Sequence, residues 1–145
     1  GAKYMIGIVV TGHGHFASGL TSSLDLIAGK QDCYVAVDFD GLTEEKLKND
    51  LEAAFESLKE CEGILVFSDL PGGSPFKMAV TVSQPFKNVE VIAGTNLPML
   101  CEIALGRTMI NDLHTLVQSA LNTGKDAILK YETVEIIEDD LSDGI

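Results

Sequence analysis

No stretch of this 145-residue sequence approaches the roughly 18 consecutive apolar residues of a membrane span. Its beginning has no charged region followed by a long apolar run, so no secretory leader is expected. Cysteine is scarce: Cys33, Cys61 and Cys101 are odd in number, far apart and never in a Cys-x-x-Cys pair. That argues against a disulfide framework or a zinc site. It fits reduced thiols in a cytoplasmic protein, each acting as a small buried hydrophobe. Bases are also few, 10 against 22 acids, for a net charge of −12. Such a surface repels phosphate backbones and anionic lipid, so neither nucleic acid nor a membrane surface is an expected partner and a basic protein is a better one. No internal repeat occurs, and no biased tract apart from an acidic C-terminal one.

What is present suits one α/β domain. Apolar residues make up 46% of the chain, and a domain of this length buries about 70% of its unfolded surface, enough to fold without staples. Six acids (Glu132, Glu135, Glu138, Asp139, Asp140, Asp143) and no base fall in residues 132–145. That segment is expected to be a solvated extension or linker beyond a domain of residues 1–131, taking in at most the end of a last strand.

Short apolar runs at Tyr4–Val10, Cys33–Asp38, Gly63–Ser68 and Asn88–Ala93 read as strands. The first, third and fourth lack polar alternation, as strands do when helices cover both faces of a parallel sheet. Helical periods lie between them. Leu20, Leu24 and Ile27 mark a helix over Ala17–Ala28. Leu47, Leu51, Ala54, Phe55 and Leu58 mark one over Glu44–Leu58, with Thr43 as N-cap and Glu44 and Glu45 in a first turn that favours acids. Ser74 can cap a helix with Pro75 at its first position, and Asn96 before Leu97-Pro98 opens another. A last helix is expected over Asp112–Asn122, with Leu113, Leu116, Val117, Ala120 and Leu121 inward, His114 on the surface and Gly124 as its stop. Ala127–Ile137 is a candidate final strand. The alternation predicts a single-domain, doubly wound open sheet.

In such sheets ligands bind beyond the C-terminal strand ends, where the strand order reverses. With four parallel strands in order 2-1-3-4, the first and third are neighbours, and His13 and Asp69 face each other across the crevice. Gly12 and Gly14 leave little bulk around His13, so a partner can approach its ring. A carboxylate on one ring nitrogen fixes the tautomer and leaves the other nitrogen's lone pair free to attack. The turn Gly72-Gly73-Ser74 opens a helix, and its backbone N–H groups, the Ser74 hydroxyl and the helix dipole suit a phosphoryl group. Thr11, Gly14, His15, Asn96 and Met99 are candidates for the rim. Each piece alone has a plain structural role, as a loop histidine, a turn cap or a tight strand-to-helix connection. Their combination at neighbouring strand ends points to a site.

The stretches Ile8-Val9-Val10-Thr11-Gly12-His13-Gly14, Phe67-Ser68-Asp69-Leu70-Pro71-Gly72-Gly73-Ser74-Pro75-Phe76 and Val91-Ile92-Ala93-Gly94-Thr95-Asn96-Leu97-Pro98-Met99-Leu100 resemble, in register over about residues 4–131, the mannose-type EIIA family of bacterial sugar phosphotransferase systems. The resemblance implies a cytoplasmic phosphotransferase component. It takes a phosphoryl group from phospho-HPr on the histidine matching His13 and passes it to EIIB, for sugar entering through the membrane components EIIC and EIID. It implies Asp69 as the residue that orients His13 and Ser74 as a phosphate-binding residue. It also implies a homodimer whose final antiparallel strand, here about Ala127–Tyr131 or longer, is exchanged into the partner's sheet. No Walker-type loop is present, the donor is a protein, and neither a metal nor any other cofactor is expected. Two departures stand out: Thr11-Gly12 precedes the histidine where family members often carry Gly-Thr, and His15 supplies a second imidazole. The acidic residues after Tyr131 are no part of the family core and fit the start of a linker to an EIIB domain.

Three other readings compete. A receiver domain would place a phosphorylated aspartate at Asp69, but it needs an acidic pair after the first strand where this chain has Gly12-His13-Gly14. An EIIA-like regulatory domain, of a transcription activator or of a dihydroxyacetone kinase system, shares the core, although Pro75-Phe76 after Gly-Gly-Ser fits a transport component better. The third is a small-molecule binder of flavodoxin-like layout, and the lack of Gly-x-Gly-x-x-Gly after the first strand argues against a dinucleotide role for it.

Overall fold

A computed structural model describes residues 4–134. Among these residues nine elements follow one another: β1 (Ile6–His13), α1 (Phe16–Ala28), β2 (Tyr34–Phe39), α2 (Glu44–Ser57), β3 (Gly63–Ser68), α3 (Ser74–Ser83), β4 (Val89–Ile92), α4 (Leu97–Gly106) and α5 (Leu113–Asp126). The sheet is parallel throughout with order β2-β1-β3-β4. Strands β1 and β3 are its centre and are buried at every position except His13. That burial explains their continuous apolar sequence, because side chains alternate between two covered faces. Ile6, Ile8, Val10, Leu65 and Phe67 point into a core closed by α1, α4 and α5. Val9, Ile64 and Val66 point into a second core under α2 and α3. Each fully buried Leu, Ile or Phe contributes about 1.5–3 kcal/mol by leaving water.

The structure corrects several expectations. Strand β1 runs three residues past Val10, because Thr11, Gly12 and His13 pair with Val37, Asp38 and Phe39 of β2. Gly12 is a packing residue as well: a Cβ there would lie 2.6 Å from Phe16 Cδ1, so only glycine lets Phe16 close over the strand. Ser74 is the first helical residue of α3, not its cap; Gly73 holds the N-cap position and no side chain caps this end. Thr43 does precede α2, though without a side-chain cap bond. Helix α5 continues through Gly124 to Asp126. Gly124 is a close-approach glycine instead of a stop, since a Cβ there would lie 2.7 Å from Met99 Sδ. Asn96 caps α4 by accepting from the Met99 amide, as expected, and its Nδ2 donates to the Gly124 carbonyl at 2.9 Å. Residues 127–134 form no strand within this chain, because no edge of its own sheet pairs with them, and the rest of the Ala127–Ile137 expectation lies outside the described residues.

No pattern in the sequence points to the role of Arg107, which follows α4 and is 2% exposed. Its Nη1 donates to the carbonyls of Ile6 and Cys33, both at 2.9 Å, and its Nη2 to Gln31 Oε1 at 3.2 Å and to the Asp32 carbonyl. One side chain therefore satisfies backbone at the start of β1 and ahead of β2. Burial lowers its pKa, and nearby groups, Cys33 foremost, partly offset this. Removing it strands buried acceptors. Arg107→Met is expected to lower stability by about 3 kcal/mol, read as a reduced urea midpoint; an unchanged midpoint would show that these bonds add nothing net.

Candidate functional site

The parallel pairing of β1 with β3, in which Thr11 lies opposite Ser68, sets the two strand ends side by side. His13 closes β1 and Asp69 follows β3. The main chain around Asp69 is fixed from β4: Ser68 Oγ donates to the Ile92 carbonyl, Thr95 Oγ1 to the Ser68 carbonyl, both at 2.7 Å, and the Gly94 amide to the Asp69 carbonyl at 2.9 Å. On this frame Asp69 Oδ2 accepts from the His13 amide at 2.9 Å and from His13 Nδ1 at 2.7 Å, while Oδ1 accepts from the Leu70 amide at 2.8 Å. Burial alone would raise the Asp69 carboxyl. The bonds from the His13 amide and ring and from the Leu70 amide outweigh it and hold the carboxyl below its ordinary 3.8. An ionised carboxylate only accepts, so Nδ1 carries the ring proton and Nε2 keeps a lone pair. The side chain of Asp69 is 11% exposed and that of His13 46%. Phe39 backs the imidazole edge-on, with ring centroids 5.8 Å apart.

The N-terminus of α3 reaches the same ring. Gly72 has φ +82°, a left-handed turn suited to glycine, and a Cβ on Gly73 would lie 2.9 Å from His13 Cε1 and 3.6 Å from Nε2. Backbone thus approaches the imidazole where a side chain would stand. The amides of a helix's first turn have no intrahelical partners, which leaves this end suited to an anion. The Ser74 hydroxyl donates to Glu44 Oε1 at 2.9 Å, joining the first residues of α3 and α2.

A second imidazole lies alongside. His15 Nδ1 is 3.3 Å from Asp38 Oδ2, and its side chain is 94% exposed. Asp38 also accepts from the Ser18 amide at 2.9 Å and the Ser18 hydroxyl at 2.6 Å, which ties the first turn of α1 to β2. Burial would raise this carboxyl too, and the donors of Ser18, then His15, hold it low. Gly14, with φ +58°, His15, Asp38, Phe39, Asp40, Thr43, Lys46 and Leu47 line a cavity of about 300 Å³ next to the His13 strand end.

The predicted site residues divide accordingly. His13, Asp69 and Gly73 come together, Gly72 and Ser74 flank Gly73 in the chain with the Ser74 hydroxyl turned to Glu44, and Gly14 and His15 stand at the edge. Thr11 is not on the rim: it is fully buried and donates to the Val37 carbonyl at 2.9 Å. Met99 is core, 2% exposed, and Asn96 is committed to capping α4 and holding α5. His114 is exposed on α5, as expected. Phe39, Asp38 and Glu44 went unforeseen. The C-terminal-edge rule could have found Phe39 and Asp38, at the end of the strand beside β1, whereas only the fold brings Glu44 to Ser74. Among the described residues no group of three or more His, Cys, Asp or Glu could hold a metal ion. No described helix is long and apolar enough to cross a membrane.

Fold and site together define a doubly wound α/β protein with a carboxylate-held imidazole at its switch point. The chain belongs to the mannose-type EIIA family of sugar phosphotransferase systems: the family model described as PTS system fructose IIA component matches residues 7–121. The mannose-specific EIIAB component of Escherichia coli (strain K12) is 34% identical over 133 residues, 90% of this chain and 41% of that protein. This chain thus spans less than half the length of that relative. The fructose-specific EIIA component of Bacillus subtilis (strain 168) is 27% identical over 136 residues, 89% of this chain and 93% of that one. A crystal structure of phosphotransferase component EIIA from Streptococcus agalactiae, 34% identical, superposes with a TM-score of 0.79 over 87% of this chain and 97% of that chain.

The Asp69 contact makes two measurable predictions. Nitrogen-15 NMR at neutral pH is expected to show His13 as the Nδ1–H tautomer, and Asp69→Ala to release it to the mixture usual for exposed imidazoles. Because the folded Asp69 carboxyl lies below 3.8, its contribution to stability is full above that value and is lost as pH falls through the lower folded one. The stability gap between wild type and Asp69→Asn is therefore expected to close on acidification, read from urea midpoints across that range.

Proposed function

We propose that the chain is a phosphocarrier: His13 accepts a phosphoryl group from phospho-HPr in the cytoplasm and hands it to a histidine of EIIB, for sugar entering through EIIC and EIID. The observation that carries this reading is the 2.7 Å contact between His13 Nδ1 and Asp69 Oδ2, which leaves Nε2 as the nucleophile beside Gly73. The Nε2 lone pair attacks phosphorus in line. The phosphorus–nitrogen bond of the donor histidine breaks, and its electron pair stays on the donor ring. The Nδ1 proton remains on His13, and Asp69 offsets the positive charge that develops there. Such transition states are loose, so the protein's part is to position and to stabilise charge. Ser74 and the free amides of α3 bind the phosphoryl oxygens. The family supports this role.

We further propose that the chain works as a homodimer in which the segment after α5 adds to the sheet of a second copy. Ile128, Leu129, Tyr131 and Val134 stand exposed there, and β4 is a sheet edge only four residues long. Light scattering is expected to give twice the chain mass, and a chain ending before Ala127 to give the monomer.

Reconstitution with phosphoenolpyruvate, enzyme I and HPr tests the carrier role. Wild type is expected to take up one acid-labile, alkali-stable phosphoryl group, and His13→Ala none. Asp69→Ala should keep the fold by circular dichroism and slow transfer by about 10- to 1,000-fold. Labelling of His13→Ala at the wild-type level would refute the site.

A further inference from the structure

We propose that Glu44 is a positioning residue that competes with the bound phosphoryl group for the Ser74 proton, and so limits how tightly the protein holds its cargo. This rests on the phosphocarrier reading and concerns the same site. Ser74 Oγ has a single hydrogen to donate, and it donates it to Glu44 Oε1 at 2.9 Å. Ser74 follows Gly73, whose Cβ position lies 3.6 Å from His13 Nε2, the atom that would carry the phosphoryl group.

A fully ionised phosphoryl group on that nitrogen offers only acceptor oxygens. For Ser74 to serve it, the hydroxyl must rotate away from Glu44, because one proton cannot satisfy both. The unphosphorylated protein therefore holds a hydrogen bond that the phosphorylated one gives up. No proton changes owner; the Ser74 hydrogen only changes acceptor. Glu44 is then left without that donor, as a further negative group near the new one. Position reinforces the argument: Glu44 and Ser74 are the first residues of α2 and α3, so the two helix starts converge on one hydroxyl.

Loss of that bond and repulsion between like charges act in the same direction. Both raise the free energy of the phosphorylated form relative to the free form. For a relay that must give up what it accepts, this keeps the phosphoryl group transferable. Glu44 and its contact are solvent-exposed, so screening limits the effect to a few-fold and makes it salt-dependent.

The experiment measures how phosphoryl groups partition at equilibrium between HPr and this chain, after the supply of phosphoenolpyruvate is exhausted. Glu44→Gln, which keeps the shape and removes the charge, and Glu44→Ala are expected to shift the partition toward this chain by roughly 2- to 5-fold at low salt, and less at high salt. In a Ser74→Ala background the effect of Glu44→Ala should shrink, since no shared proton remains. A tie between α2 and α3 with no bearing on the cargo would lower the urea midpoint of the Glu44 variants and leave the partition unmoved; that result overturns the proposal. Wild type that takes no label on His13 overturns the phosphocarrier reading, and this inference with it. Normal His13 labelling with an unchanged partition in both Glu44 variants removes the inference alone.

Discussion

One carboxylate oxygen joins the two halves of the site. Asp69 Oδ2 receives both the amide and Nδ1 of His13, so the same atom that sets the imidazole's tautomer also fixes the backbone the imidazole grows from. A bond to the ring alone would leave the strand end free to swing; a bond to the amide alone would leave the ring free to turn. The arrangement depends on β1 and β3 being adjacent and parallel, because only then do two C-terminal strand ends lie beside each other. Parallel neighbours in turn require crossover connections, and here the crossover helices cover both faces of the sheet. The buried cores beneath α1, α4 and α5 and beneath α2 and α3 are thus part of what holds a 2.7 Å contact at the sheet's edge.

Missing side chains matter as much as present ones. Gly12 lets Phe16 close over the end of β1, Gly73 lets the start of α3 approach the His13 ring, and Gly124 lets α5 close on Met99. In each case a methyl group would sit under 3 Å from its neighbour. Two of these three glycines adjoin the site, where helix starts are packed against the end of a strand. The third keeps α4 and α5 together over the apolar face that carries Leu65 and Phe67. Close packing and site geometry are one constraint here, since a displaced helix start moves the amides beside the imidazole.

Much of this was legible in the sequence because burial on both faces leaves a plain trace. Ile64-Leu65-Val66-Phe67 has no polar alternation, which marks a covered parallel strand, and the topology that follows brings residues 13 and 69 together. Glycine is an ambiguous local signal at two places. Thr11-Gly12 looked like the turn after a strand, yet both residues pair with β2. Gly124 looked like a helix stop, yet it lies inside α5. Local propensity favours a break at either place, and tertiary packing overrides it. Thr11 and Met99 read as rim candidates because their burial depends on what covers them. The contact between Ser74 and Glu44 joins residues 30 apart in the chain and has no local signature. Arg107 likewise has no local signature, because only the fold gathers the start of β1 and the residues ahead of β2 around it.

The two neighbouring imidazoles show why geometry discriminates where register alone does not. Each ring has Nδ1 near an aspartate Oδ2, so sequence spacing and residue type treat them alike. Asp69 gives that oxygen to His13 and only its other oxygen to Leu70. Asp38 spends both oxygens on Ser18, at 2.9 and 2.6 Å, and meets His15 only at 3.3 Å. The environment differs as well: Asp69 is 11% exposed against 32% for Asp38, and a hydrogen bond withdrawn from water is electrostatically stronger. His13 is backed by Phe39 and approached by the Gly73 backbone, whereas His15 projects with 94% of its side chain in solvent. A ring fixed in one tautomer and one orientation presents its lone pair along a single line, which in-line transfer demands. A solvated ring held by one long contact divides its time among orientations. These differences favour His13 as the nucleophile and leave His15 to face whatever docks against the edge of the site.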